Sequence, residues 1–431
     1  MNNRDIIKNC IDSLKKEGAD KSQCLLTESK KHELNVENGE ISLLRTTTDI
    51  NFDITAIKDN KKGKLSINKL DEASIKEGIK NVIELCETSN EDECYDISPK
   101  QEKEEFSFGD KEPDLDKMYK LLDKFLKNVK EFFPKVTIGE MTFDFQQKDS
   151  LLLNSNGVDF KTYNGLYEFE AVFSSKEGKK GSSFNYTGCS MGKLEKDLLD
   201  YGTIKTLLKQ SEGQIDVKPI EGKFVGDIII TPDCLHDITI NYIRVFLADD
   251  ALISKSSIFK DKLNEKVASE KFSIDICPVL DEISNKEFIT SDGFKAENQT
   301  VIDKGILKAF VLSQYAANKT NGKRAKSKTM TYDIKPGNTS LDDMIKNVKK
   351  GILFCRYSGG RASSNGDLSG VAKNSFYIED GEIKYPISET MVSGNLYDIF
   401  MNIKDVSKER VNFGHSILPW IHTSGVTISG K

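Results

Sequence analysis

The chemistry-bearing residues of this chain are few, and one short pattern stands out. The stretch "CLHDITINYIRVF" (234–246) opens with His236, then an acid, Asp237, and carries a polar Asn241 just beyond one helical turn. A zinc-peptidase helix needs that order of roles. Two imidazoles from one helix bind the metal, and a carboxylate beside the first takes the proton of the metal-bound water. Here His236 supplies one imidazole and Asp237 an acid one methylene shorter than glutamate. Asn241 offers an amide, a poor zinc ligand. On ideal helical geometry His236 and Asn241 stand about 140° apart, so they share a face only loosely. His415 and His422 lie near the end of the chain. A rearranged metal set of His236, His415 and His422 is therefore one reading. The other, which the missing second ligand favours, is a degenerate motif at His236, Asp237 and Asn241 with no catalytic group and no bound metal.

The Gly- and Ser-rich stretch "YSGGRASSNGDLSG" (357–370) is the second candidate. It lacks the order and spacing of a phosphate-binding loop, and reads first as a flexible loop. Ser358, Ser363 and Ser364 have no His or Lys partner that sequence can place, so serine-hydrolase chemistry has no support. The eight cysteines are spread along the chain without CxxC spacing. They read as buried thiols rather than a zinc ribbon or a disulfide framework.

Elements must hold these groups in place. Before His236, "GKFVGDIIITPD" reads as a strand running straight into a helix. Thr231 is a candidate cap, Pro232 suits the first helical position and Asp233 complements the helix dipole. Leu235, Ile238, Tyr242, Val245 and Phe246 form an apolar stripe, and the helix is expected over 231–252. Upstream, the N-terminus, with apolar residues at Ile6, Ile7, Cys10, Ile11 and Leu14, and residues 71–89 and 114–133 carry helical periodicity, the last stopped by Pro134. Asn38-Gly39, Lys62-Gly63 and Asn156-Gly157 are turn signals between stretches of alternating polarity, which predicts antiparallel hairpins. Residues 90–113, acidic and without periodicity, read as a linker or long surface loop. From about 270 the text is mostly β, with Asp380-Gly381 another hairpin signal. The expected fold is α+β, with an N-terminal α/β domain over 1–215 built from hairpins and helices, and a C-terminal mainly β domain over 220–431.

Composition narrows the function. Acidic residues number 68 against 62 Lys plus Arg, a net charge of −6. A dedicated nucleic-acid binder would show a basic face, which this balance does not favour. No apolar run reaches the ~20 residues of a membrane span, and the N-terminus has the period of an amphipathic helix rather than a signal peptide. A soluble, cytoplasmic protein is expected.

Several blocks together resemble one family. They are "SKSSIFKDKLNEKVAS" (254–269), "DGFKAENQTVIDKGILKAFVLSQYAANKTNGK" (292–323), "SFYIEDGEIKYPISETMVSGNLYDIFMNI" (375–403) and the final "SGVTISGK". In order and spacing they resemble the TldD/PmbA family, and within it the TldE (PmbA) branch. The resemblance covers nearly the whole chain and is strongest from about 220 onward. It implies that TldD members carry two zinc-binding His on the helix matching 232–246, with one more residue between them than in HExxH, and a Cys ligand near the C-terminus. "HDITIN" follows that longer form position by position, but with Asn241 in place of the second His. "KERVNFGHSILPW" holds no Cys, and Cys355 lies before the corresponding region. TldE members lack the ligands and pair with TldD in a heteromeric protease acting on unfolded peptides and leader segments. The resemblance also sets the 357–370 loop beside the cleft, where Gly359, Gly360 and Arg361 would contact peptide, the arginine through a peptide carboxylate.

The expected function is therefore a TldE-like, peptide-binding subunit of a TldD/TldE-type metalloprotease. It would form a homo- or hetero-oligomer, need no cofactor of its own, and leave zinc to a TldD-like partner. The alternatives are a self-sufficient metallopeptidase with a rearranged site, and a gyrase- or nucleic-acid-associated regulator, although the family's older name, modulator of DNA gyrase, implies no DNA contact.

Overall fold

The computed structural model describes residues 2–388 and 390–430. The N-terminal elements are α1 (Asn3–Lys16), β1 (Lys21–Glu37), β2 (Glu40–Lys58), β3 (Lys61–Ile67), α2 (Glu72–Thr88), β4 (Glu104–Phe108), α3 (Leu115–Phe132), β5 (Val136–Asn154), β6 (Asp159–Glu177), β7 (Lys180–Gly181), β8 (Asn185–Met191) and α4 (Ile204–Gly213). Then follow β9 (Lys218–Pro219), β10 (Lys223–Ile230), α5 (Pro232–Phe246), α6 (Asp249–Ile253), β11 (Ile274–Ile276), β12 (Gln299–Asp303), β13 (Ile306–Leu307), α7 (Gln314–Thr320), β14 (Tyr332–Ile334) and α8 (Leu341–Lys346). The last elements are β15 (Lys350–Phe354), β16 (Arg356–Gly359), β17 (Asp367–Lys373), β18 (Phe376–Glu379), β19 (Glu382–Ser388), β20 (Thr390–Asn395), α9 (Leu396–Met401), β21 (Ile403–Asn412) and β22 (Ser416–Ser429). The fold is α+β, with a mostly β C-terminal part.

The first sheet runs β3-β2-β1-β5-β6-β4, with β8 also on β6. Its hairpins turn where the residues permit. Asn38 and Gly39 both take positive φ between β1 and β2, as a two-residue hairpin turn of matching twist requires. The Lys62-Gly63 signal is misplaced by a few residues. The chain turns at Asp59 and Asn60, both at positive φ, and Gly63 lies inside β3 opposite Ala56. Gly63 is there for closeness: a Cβ would come within 2.2 Å of the Val82 carbonyl of α2.

One face of this sheet is apolar and carries the helices. On β1, Cys24 and Leu26 meet α1 and α2, while Leu34 and Val36 meet α3 and α4. The helices start as their caps dictate: Asp71 accepts from Ser74 N at 2.9 Å and Asp114 from Lys117 N at 3.0 Å. Met118, Leu122, Phe125, Leu126 and Val129 form the buried stripe of α3. Alternation along the strands puts the polar set on the opposite face, and that face looks toward the C-terminal half.

The second sheet runs β13-β12-β11-β14-β22-β10-β15-β18-β19-β9. Ile228, Ile230 and Ile421 on one side bury against Leu235, Ile238 and Tyr242 of α5. Ile229, Leu353 and half-buried Trp420 pack on the other side, against Met344 and Val348. The helix expected over 231–252 ends at Phe246, and α6 resumes at Asp249.

Residues 90–113 differ from the linker reading. β4 adds to β6 in parallel, and the segment straps the two halves together. Tyr95 stacks on Tyr315 with centroids 5.0 Å apart, and Phe106 on Phe288 at 5.2 Å. Lys319 pairs with Asp92 at 2.8 Å and Lys295 with Glu104 at 2.6 Å. Short runs of acids and aromatics with no period make such contacts, and no periodicity rule detects them.

Gly63→Ala should lose roughly 1–3 kcal/mol, because the methyl meets helix backbone rather than a side chain that can swing away. Gly213→Ala, where a Cβ meets nothing within 4 Å, should stay within about 1 kcal/mol of the parent. Urea unfolding of both variants reads the difference, and equal destabilisation would refute this account of Gly63.

Candidate functional site

The two halves enclose a cleft of about 550 Å³. Its floor is β6 and β8, and its far wall is the first turn of α5, the 329–331 segment before β14 and the turn between β21 and β22. His236 and His415, far apart in sequence, meet here with ring centroids 4.9 Å apart, edge to face. His236 arrives because Pro232 starts α5 directly after β10. His415 arrives because the β21–β22 turn is pinned to β8: Ser190 N donates to Phe413 O at 2.8 Å. Gly414 permits that contact, since a Cβ there would lie 1.8 Å from the Ser190 carbonyl. His415 Nδ1 lies 3.0 Å from Ser416 Oγ, and its ring stacks on Phe413. His236 Nδ1 is buried with no hydrogen-bond partner among the described residues.

Burial disfavours charge on both rings. It lowers His236 to about 4, and burial together with the neighbouring His236 lowers His415 to about 4. Both are neutral imidazoles at physiological pH. Burial raises Asp237, against the nearby Arg356 guanidinium.

The remaining predicted positions disperse. Asn241 turns its amide back along α5, donating to Asp237 O at 2.9 Å and accepting from Ala362 N at 3.3 Å. It ties the helix to the 357–370 loop. His422 lies across the sheet: it stands in register with Ile229, while Ile421 beside it faces α5. There it meets Asp227, Nε2 to Oδ2 at 3.2 Å, and Asp227 is also held by Lys404 at 2.9 Å. Among the described residues no group of three His, Cys, Asp or Glu side chains is close enough to hold a metal ion. His236 and His415 are two donors without a third, so the donor set does not fit zinc.

Gly359, Gly360 and Arg361 are exposed. Tyr357 Oη, 3.0 Å from Gly360 O and 2.9 Å from Ser369 O, fixes the turn at Gly359 and Gly360. The arginine beside the cleft is Arg356, in a smaller pocket of about 130 Å³ that shares Tyr186, Gly188, His236 and His415 with it. Its guanidinium sits 3.3 Å from the centroid of the Tyr186 ring, and Nη2 donates to Tyr186 O at 2.6 Å. Glu168, Glu170, Tyr186 and Thr331 line the cleft and belong to no sequence motif. The alternation in "YEFEAVF" (167–173) does signal that Glu168 and Glu170 share a face. Which face meets the second half is a long-range fact that alternation does not carry.

The site is electrostatically uneven. Across the polar face of the first sheet, Glu33, Asp144 and Glu168 stand in adjacent registers of β1, β5 and β6. Lys31 pairs with Glu33 at 2.9 Å and Asp144 at 3.0 Å, and Arg45 with Glu33 at 2.6 Å. Hydrogen bonds from Asn35, then Lys31 and Arg45, hold Glu33 down to about 2. Burial lifts Asp144 to about 6 despite Lys31. Glu168, at the cleft, is raised by burial and then by Glu170.

Comparison with known proteins agrees with this architecture. Residues 222–430 match the PmbA/TldA metallopeptidase C-terminal domain, and residues 24–86 match PmbA/TldA metallopeptidase domain 1. A PmbA metalloprotease homologue from Haemophilus influenzae is 23% identical over 390 residues, covering 86% of this chain and 83% of its own. The crystal structure of TldE from Thermococcus kodakarensis superposes with a TM-score of 0.85 at 20% identity, over 99% of this chain and all of that one. A Bacteroides thetaiotaomicron protein named for modulation of DNA gyrase superposes with a TM-score of 0.86 at 22% identity, over 100% of this chain and 99% of that one. The helix-borne His motif, the cleft between two sheets and these matches together place the chain in the PmbA/TldD metallopeptidase family.

Proposed function

We propose that this chain is the peptide-holding subunit of a metallopeptidase whose zinc is carried by a like-folded, TldD-like partner. The observation that carries the reading is the fate of α5. The helix still projects His236 into the cleft, yet the position of the second ligand is Asn241, whose amide is spent on Asp237 O and Ala362 N. A helix kept in place without its ligand set suits a cleft that binds but does not cut.

The edge of β8 supports the peptide side of the proposal. β8 pairs with β6 alone among the described strands. Tyr186, Gly188 and Ser190 alternate outward along it. Arg356 occupies the Tyr186 carbonyl and Phe413 O the Ser190 amide, which leaves Gly188 between them at the cleft. An extended peptide joins such an edge through main-chain hydrogen bonds and needs no metal to do so. Related folds associate about two-fold or pseudo-two-fold axes, so a homologous partner is the natural mate. The acidic balance of the chain and the carboxylates of the cleft count against a nucleic-acid ligand.

Two measurements test this. Elemental analysis of the pure chain should find well under about 0.1 zinc per chain, since two imidazoles alone leave the ion largely hydrated and weakly held. About one tight zinc, lost in His236→Ala/His415→Ala, would establish a rearranged site instead. In a cleavage assay on an unfolded peptide, the chain alone should be inactive. Mixed with the TldD-like protein of the same organism, it should raise chelator-sensitive cleavage at least about tenfold, the equivalent of 1.4 kcal/mol in barrier. Unchanged cleavage on mixing would make the chain a bystander.

A further inference from the structure

We propose that the cleft reads a basic side chain, lysine or arginine, of the peptide it holds, with Glu168 and Glu170 as the counter-charges. This rests on the peptide-binding reading above and names its substrate class.

Charge matching is the first argument. Glu168 and Glu170 both line the cavity, and among the described residues no Lys or Arg does; Arg356, in the adjoining smaller pocket, is engaged by the Tyr186 ring and carbonyl. The nearest cations of the same sheet face are already engaged, Lys31 by Glu33 and Asp144 and Arg45 by Glu33. Among the described residues neither Glu168 nor Glu170 has an ion-pair partner. Ser190 Oγ at 3.4 Å from Glu168 Oε1 is a long, weak contact. Two neighbouring carboxylates in a partly desolvated wall repel one another, and a cation placed between them relieves both the repulsion and the lost hydration.

An independent observation lies on the opposite wall. Thr331 lines the same cavity and is only 3% exposed, yet its Oγ1 has no hydrogen-bond partner. Buried hydroxyls without partners are uncommon, and each calls for an explanation. His236 Nδ1, also in the cavity wall, is orphaned as well. The two carboxylates only accept, and the Thr331 hydroxyl oxygen and the unprotonated nitrogen of the neutral His236 ring can accept as well. An ammonium brings three donors and a guanidinium five, with no acceptor of their own, so a basic head group can be met by all four, whereas a carboxylate would be repelled by Glu168 and Glu170. Val172 and Met330 flank the cavity and suit the aliphatic stem that such side chains lay along apolar surface.

The test uses the full chain and N-acetylated, C-amidated, fluorescein-labelled Gly/Ser/Ala peptides that differ at one central position, Lys or Gln. Fluorescence anisotropy should show the Lys peptide binding about tenfold tighter at low salt, a preference that shrinks as salt rises. In Glu168→Gln/Glu170→Gln the two peptides should bind alike. Glu170→Gln alone, at an exposed side chain, should lower the preference about threefold and guards against a folding defect in the double variant. Equal binding of the two peptides by the parent chain would overturn this inference and leave the peptide reading standing. A preference that survives in the double variant would overturn it too. Binding of neither peptide would overturn both.

Discussion

The cleft depends on one constraint: the first sheet has a charged inner face whose middle, at Glu33 and Asp144, is buried. Alternation along a strand forces it. The residues that feed the helix-covered core, Leu34, Phe143 and Phe169, have as neighbours Glu33, Asp144 and Glu168, which must point the other way. Asp144 is 3% exposed and Glu33 6%. Stranded carboxylates at such depth would cost several kcal/mol each. Lys31 and Arg45 offset this by bracketing Glu33 and Asp144. The neutralisation stops at β6, and beyond it the sheet opens into the cleft. The acidity of the cleft is thus the unpaired end of a row of charges that the architecture requires.

The same constraint explains the strap. A charged face can be covered only if the covering half is held in register. Residues 90–113 do this without periodic structure, through two aromatic stacks and the pairs Asp92–Lys319 and Glu104–Lys295. Asp92 is held down to about 2, chiefly by the hydrogen bond from Lys319. Its carboxylate is charged wherever the protein is folded at ordinary pH. The loop at 289–295 joins in: Gln101 Nε2 donates to Gly293 O at 2.9 Å, and Arg324 holds Asp292 at 2.7 Å. The cleft is as wide as these contacts leave it.

Local rules made much of the fold legible. Asn38-Gly39, Asn156-Gly157 and Asp380-Gly381 announced hairpins because few residues tolerate the backbone such turns need. Asp71 and Asp114 start their helices because a carboxylate can satisfy an orphan amide. The rules failed where a residue is chosen for a distant neighbour. Gly63 looked like a turn and is a point of contact with α2. Thr231 looked like a side-chain cap, yet its hydroxyl donates across to Cys355 O at 3.3 Å. Arg361 was the conspicuous arginine of its loop, while Arg356, inside a strand, is the one in the pocket beside the cleft. The adjacency of His236 and His415 depends on a turn of β21–β22 locked to β8 by Gly414. A one-dimensional pattern has no term for that contact.

The persistence of α5 without a full ligand set has a physical reason that is separate from chemistry. Leu235, Ile238, Tyr242 and Phe246 are fully buried in the largest core of the C-terminal half, and Tyr242 Oη donates to Val267 O at 2.9 Å. Truncating any one of these large side chains would cost about 2–5 kcal/mol, a large share of a domain's net stability. The polar face answers to other demands. Asn241 substitutes one role for another, since its amide joins α5 to the 357–370 loop where a ring would reach for a metal. His236 and His415 pack edge to face as neutral rings and close the back of the cavity. The apolar face of the helix is fixed by the core, whereas the polar face can vary without opening a cavity beneath it.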